Sequence, residues 1–223
     1  YRFVLIPETI GSIAYLSKFL KIMKTNIVCG FNLSCVGDER SYSYVSSRKG
    51  NTLADNAIEA ALFGLHNVKK YSFLDRASDE RQYCAPGIDL PVCAFHRSKI
   101  FPEYHTNKDD FNLVTQKGLM GSFNVMKKII DTLELEAFPK STILGEPNLG
   151  KRGLYSTLSQ KPKYEKLTVP TNSGAYAESR LRMNLIAYAD GKTDIFKISN
   201  ILKQPLDKIC KEKKVLKLKK ILK

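Results

Sequence analysis

Three polar side chains stand out for the chemistry they could share: Glu8 in PETIGS, Asp38 in GDER and His105 in EYHTNKDD. By pattern each lies just past an apolar run, where a strand would end. Carboxylates and a neutral imidazole are ordinary donors to a divalent cation, and a mixed oxygen and nitrogen set suits Zn2+. The plain alternative for a lone acid after a strand is a helix cap or a solvated loop, and for a lone histidine a structural contact. Other combinations lack a required part. Gly145-x4-Gly150-Lys151 mimics a phosphate-binding loop, but Arg152 stands where Ser or Thr is needed and Pro147 lies inside. The five cysteines, Cys29, Cys35, Cys84, Cys93 and Cys210, contain no C-x-x-C pair. That excludes a zinc finger and argues for reduced, inert thiols in a cytoplasm rather than a disulfide framework. His66 reads as a helix-end contact and His96, beside Arg97, as a surface residue.

The elements that must position these residues follow from hydrophobic period. Residues 1–7 (YRFVLIP), 26–36 (NIVCGFNLSCV) and 90–95 (LPVCAF) read as buried strands. Ile13, Leu16, Phe19, Leu20 and Met23 recur at helical spacing, as do the apolar residues of 52–66 and 119–133. Strands alternating with helices imply an α/β domain with a largely parallel sheet, whose active residues gather at the carboxyl ends of the strands. Residues 140–176 lose this period and contain Pro147, Pro162 and Pro170, so they read as a linker or ordered loop. Beyond them, 177–188, a short helix capped by Asp194, and 206–213 after Pro205 form three helices with a tight turn, a winged-helix or helix-turn-helix pattern. The expected organisation is therefore 1–139, 140–176 and 177–223.

The ordered set PETIGS, GDERSYSY, SDERQY-x-x-PGIDLPV and EYHTNKDD, with PNLGKRGLYSTLS further on, resembles the bacterial aminopeptidase-like proteins associated with polysaccharide-biosynthesis genes. These belong to the co-catalytic zinc exopeptidases and carry a C-terminal winged helix. The resemblance implies a zinc-exopeptidase-like mixed, largely parallel sheet and a metal-activated water that cleaves an amide. It implies Glu8 as general base or metal ligand, and Asp38 and His105 as ligands. Asp109 or Asp110 would orient the histidine, and Asp79, Arg81 and Tyr104 would face substrate or support the ligands. Two departures accompany it: Pro7-Glu8 replaces the usual pair of glutamates, and the upstream His and bridging Asp of the class are absent from a chain that opens at Tyr1. The chain therefore looks like the later part of a longer protein, with a second metal site that needs upstream residues.

Charge gives a separate indication. The net charge is +14, and residues 177–223 carry 13 Lys or Arg against 5 Asp or Glu, an excess of +8. Such an excess suits a polyanionic partner, with Lys208, Lys211 and Lys214 as candidate nucleic-acid contacts, or simply a solvated helix face. The leading expectation is a zinc-dependent aminopeptidase-like hydrolase acting on a small peptide or amino-containing molecule. The alternatives are a degenerate peptidase-like sensor with a DNA-binding winged helix, or an amidohydrolase acting on an amino sugar. A homo-oligomer is compatible with either. No apolar run reaches the roughly 20 residues of a membrane helix, and no signal peptide is visible.

Overall fold

In the computed structural model the apolar run at 90–95 becomes the most buried strand of a four-stranded sheet. The structure describes residues 1–135, 137–155 and 175–223, which fall into two compact units, Tyr1–Asp131 and Thr132–Lys223. In the first unit, β1 (Gly30–Leu33) pairs in parallel with β4 (Val92–His96). The other edge of β4 runs antiparallel to β2 (Tyr42–Val45), which pairs in parallel with β3 (Val68–Tyr71). The order is thus β1-β4-β2-β3. Every residue of β4 is buried, which is why its sequence lacks the alternation of a half-exposed strand.

Helices flank this sheet. α1 (Ile10–Asn26) turns Leu16 and Met23 inward against Cys84, Leu90 and Val92. α2 (Leu53–Leu62) opens with a capping box in which the Thr52 side chain accepts the Asp55 N–H and the Asp55 carboxylate accepts the Thr52 N–H. Its buried face, Ala54, Ala57, Ile58 and Ala61, is small enough for close approach. α3 (Glu80–Tyr83) and α4 (Gln116–Glu134) complete the series.

Two readings of the sequence change here, and two strands appear that it did not show. Residues 1–7 form no strand, and Tyr1, Phe3 and Leu5 are exposed, so Glu8 stands at the entry to α1 rather than at a strand end. A run this short has no period to separate core from surface. β2 and β3 escape the pattern because Ser and Lys interrupt four-residue strands. His96, expected at the surface, is buried, as is its neighbour Arg97; Arg97 donates through Nε to the Ser41 carbonyl and lies 3.8 Å above the Tyr42 ring centre.

The second unit contains α5 (Ala175–Ala187), α6 (Ile195–Leu202) and α7 (Leu206–Leu218). Asp194 caps α6 by accepting the Lys197 N–H at 2.8 Å. Lys203, in the left-handed conformation, ends it, and Pro205 leads into α7. Leu185, Ile195, Phe196, Ile198, Leu206, Ile209 and Leu216 are fully buried, each worth about 1.5–3 kcal/mol of transfer free energy. Lys140 bridges Asp190 and Ser141 bridges Leu222, both antiparallel. Leu149 and Leu154, in the stretch read as linker or ordered loop, are buried, and its residues 156–174 lie outside the described residues. No described helix is long and apolar enough to cross a membrane.

Candidate functional site

β1 and β4 run parallel, so the loops after them leave the same end of the sheet. That end is where open α/β sheets place their chemistry. After β1 the chain turns at Cys35, whose φ of 49° is left-handed. The corner is tied to the end of β4: His96 Nδ1 lies 3.0 Å from the Ser34 carbonyl, and the Arg97 N–H donates to the Cys35 carbonyl at 3.0 Å. The facing His96 Nε2 is buried without a partner, and burial holds the ring's pKa below its ordinary value, which keeps the imidazole neutral.

Glu8 occupies a tightly built turn. Its carbonyl accepts the Ile10 N–H at 2.7 Å, and Thr9 between them has φ 62° and ψ −66°, the rare and strained form of the γ-turn. Buried Asp79 holds that strain in place, accepting the Thr9 N–H at 2.7 Å and the Ser12 hydroxyl at 2.9 Å through one oxygen. The Arg81 guanidinium donates to the Thr9 hydroxyl at 2.5 Å. Gly11 is required as well: a Cβ there would stand 2.8 Å from Ile6 Cβ and 2.9 Å from Pro7 Cδ. Asp79 and Arg81, which the sequence suggests as supporting or substrate-facing groups, thus clamp the residue next to Glu8.

The structure brings Glu8 into electrostatic range of the loop after β4. Burial raises the Cys35 thiol pKa, and the nearby carboxylates of Asp109, Asp38 and Glu8 raise it further. Burial likewise raises the Tyr104 phenol, with Cys35, Glu8 and Asp109 adding to the shift. His105, with φ 58°, stacks on Tyr104 at a centroid separation of 4.0 Å. Glu8, Cys35, Tyr104, His105 and Asp109 therefore share one neighbourhood. Cys35 is the member that sequence reasoning missed, because a Ser-Cys pair after a strand carries no signal of a left-handed corner.

Asp38 is turned to a different purpose. One of its oxygens accepts the Ser98 N–H at 2.8 Å, and the other accepts the Ser98 hydroxyl at 2.8 Å and the Arg40 N–H at 2.9 Å. Burial pushes its pKa up, but these hydrogen bonds outweigh burial and hold it below the usual carboxylate value. Arg40 continues to Glu103 at 3.0 Å, anchoring the loop that carries Tyr104 and His105. Among the described residues, no three His, Cys, Asp or Glu side chains converge as a metal-binding group. These side chains as placed do not by themselves make a metal centre.

Residues 1–136 match a family described as a domain of unknown function, DUF4910, and residues 137–223 match a winged helix-turn-helix family. The chain belongs to the DUF4910 family. This DUF4910 chain is 37% identical over 173 residues to a Clostridium acetobutylicum protein described, provisionally, as a polysaccharide biosynthesis protein with an aminopeptidase-like domain. The match takes in 74% of the chain and 38% of that relative. A crystal structure from the same organism, described provisionally as a peptidase, superposes with a TM-score of 0.77 at 28% identity, covering 97% of the DUF4910 chain and 46% of the other. The chain thus spans less than half the length of either, and its aminopeptidase-like fold and C-terminal winged helix agree with the resemblance seen in the sequence motifs.

Proposed function

We propose that this chain supplies part of the active site of an aminopeptidase-like hydrolase that cleaves an amide beside a free amine, in a polysaccharide-biosynthesis setting. The observation that carries the proposal is Glu8, mounted on a strained turn that Asp79 and Arg81 lock and within electrostatic range of Cys35 and Tyr104. In this reading the Glu8 carboxylate takes a proton from the attacking water and returns it to the leaving amine as the C–N bond breaks. Tyr104, its phenol pKa raised, keeps its proton at neutral pH and donates to the carbonyl oxygen as that oxygen gains charge. Asp109, with Glu8, makes a negative field that suits the substrate's ammonium group. Zn2+ belongs to the proposal too, and His105 is the donor this chain would supply to it, leaving Glu8 as the base.

The test uses the full natural polypeptide, aminoacyl p-nitroanilides with free and with acetylated amines, and metal analysis of the purified protein. Release from the free-amine substrates, reduced about 100-fold or more in Glu8→Gln, together with protein-bound zinc that falls in His105→Ala, is the expected result. Unchanged turnover in Glu8→Gln would remove the catalytic assignment, and metal-free active protein would remove zinc.

A further inference from the structure

The loop after β4 carries Tyr104 and His105, and its main-chain hydrogen bonds turn inward. The Tyr104 N–H donates to the Phe101 carbonyl at 3.3 Å, Thr106 to Glu103 at 3.0 Å and Asp109 to Thr106 at 3.2 Å. His105 holds a left-handed φ of 58°, a conformation that a residue with a Cβ keeps only when its surroundings impose it. Arg40, from the segment between β1 and β2, supplies such a hold at three points. Its Nη1 donates to Glu103 Oε2 at 3.0 Å, its Nε donates to Asp38 Oδ1 at 3.4 Å, and its guanidinium carbon stands 5.5 Å from the centre of the Phe101 ring. Phe101 meets Tyr104 edge-on at 5.4 Å, and Tyr104 stacks on His105 at 4.0 Å. One guanidinium thus leads through two aromatic rings to the imidazole.

Arg40 is itself fixed from behind. Its N–H donates to Asp38 at 2.9 Å, and its carbonyl accepts the Asn67 side-chain amide at 3.2 Å. The side chains of Arg40 and Glu103 are 42% and 28% exposed, so water screens their pairing and it adds little to folding. Its consequence is geometric. A flat guanidinium reaches two carboxylates and covers a ring at once, whereas a lysine ammonium on a flexible stem reproduces the charge without the three directions. We infer that Arg40 is a positioning residue that sets Tyr104 and His105 through Glu103 and Phe101. The catalytic consequence rests on the hydrolase reading, while the placement of the rings is measurable without any turnover. A displacement of about 1 Å at a reacting centre costs about 100-fold in rate.

The test takes the full natural polypeptide and its Arg40→Lys and Glu103→Gln variants through two measurements. Histidine ring resonances, recorded with isotope-labelled histidine in EDTA, report the stack, because the Tyr104 ring current shifts the protons of an imidazole 4.0 Å away. His105→Gln assigns the signal. Turnover of the free-amine p-nitroanilides reports the consequence for rate. In both variants the His105 signal is expected to move towards its unstacked position while those of His66 and His96 stay in place. The kcat is expected to fall about 10- to 100-fold with KM nearly unchanged. The double variant is expected to lose no more than either single one, since each cuts the same tether. Circular dichroism and urea midpoints near those of the wild type separate this from a loosened fold, and Glu103→Gln decides if Arg40→Lys does not fold. An unmoved His105 signal, full activity in Arg40→Lys, or additive losses in the double variant would overturn the positioning role. Absence of turnover in the wild type, with the His105 shift still seen in the variants, would remove the hydrolase reading and leave the positioning of the rings standing.

Discussion

Asp38 shows how a residue with the right chemistry for one task can be committed to another. Its type and place, a carboxylate after an apolar run, suit a metal ligand. In the folded chain its oxygens face Ser98 and Arg40. Because those bonds hold its folded-state pKa below the unfolded value, its contribution to stability is fully present above the ordinary carboxylate pKa and is lost as pH falls through the lower, folded one. Urea midpoints measured from about pH 6 down to about pH 2 are therefore expected to fall less steeply for Asp38→Asn than for the wild type across the carboxylate range. Parallel curves would show that Asp38 is not coupled to folding in this way. The sequence exposes Asp38 as a polar residue in a suggestive place, but Ser98, sixty positions away, is a partner that no local pattern reveals. Cys35 was hidden for a related reason: its meaning comes from carboxylates on three separate segments.

At the scale of elements, the entry to α1 matters most to the candidate site. Thr9 is not itself a favourable N-cap here; its side chain makes no capping bond, and Asp79 from a distant segment accepts its N–H instead. The helix thus begins where a second element dictates, and the backbone at Glu8 is fixed by that arrangement. Gly11→Ala is expected to cost about 1–3 kcal/mol, because the new methyl must displace Ile6 and Pro7, which have little room to yield. Chemical denaturation gives the loss directly, and an unchanged midpoint would mean that the 6–11 segment relaxes freely. Helices α1, α2 and α4 were legible because their apolar residues recur with the period of the helix, and α5, α6 and α7 from the helical stretch 177–188, the Asp194 cap and Pro205. The four-residue strands β2 and β3 were not, since pairing with β4 and with each other, rather than composition, makes them strands.

For the molecule as a whole, two units with separate cores predict separable responses to damage. Phe196 on α6 has no exposed surface, so Phe196→Ala is expected to destabilise the second unit by about 3–5 kcal/mol. Hydrogen exchange should show faster amides on α6 and α7 while those of β4 keep their protection; equal acceleration in both units would show that they unfold together. The charge division belongs to this scale too. Counting residues places the excess of +8 in 177–223, but only folding turns Glu212 and Asp194 inward and leaves Lys208, Lys211 and Lys214 outside. By itself the sequence determined the α/β character, the helical C-terminal module, the motif resemblance and the candidate residues, because periodicity, composition and residue type are local quantities. The tertiary structure decided that Glu8 enters a helix through a locked turn, that Asp38 is saturated and that Cys35 sits among the acids. Those outcomes depend on which distant groups meet, and contact between segments tens of residues apart is set by packing of the whole chain.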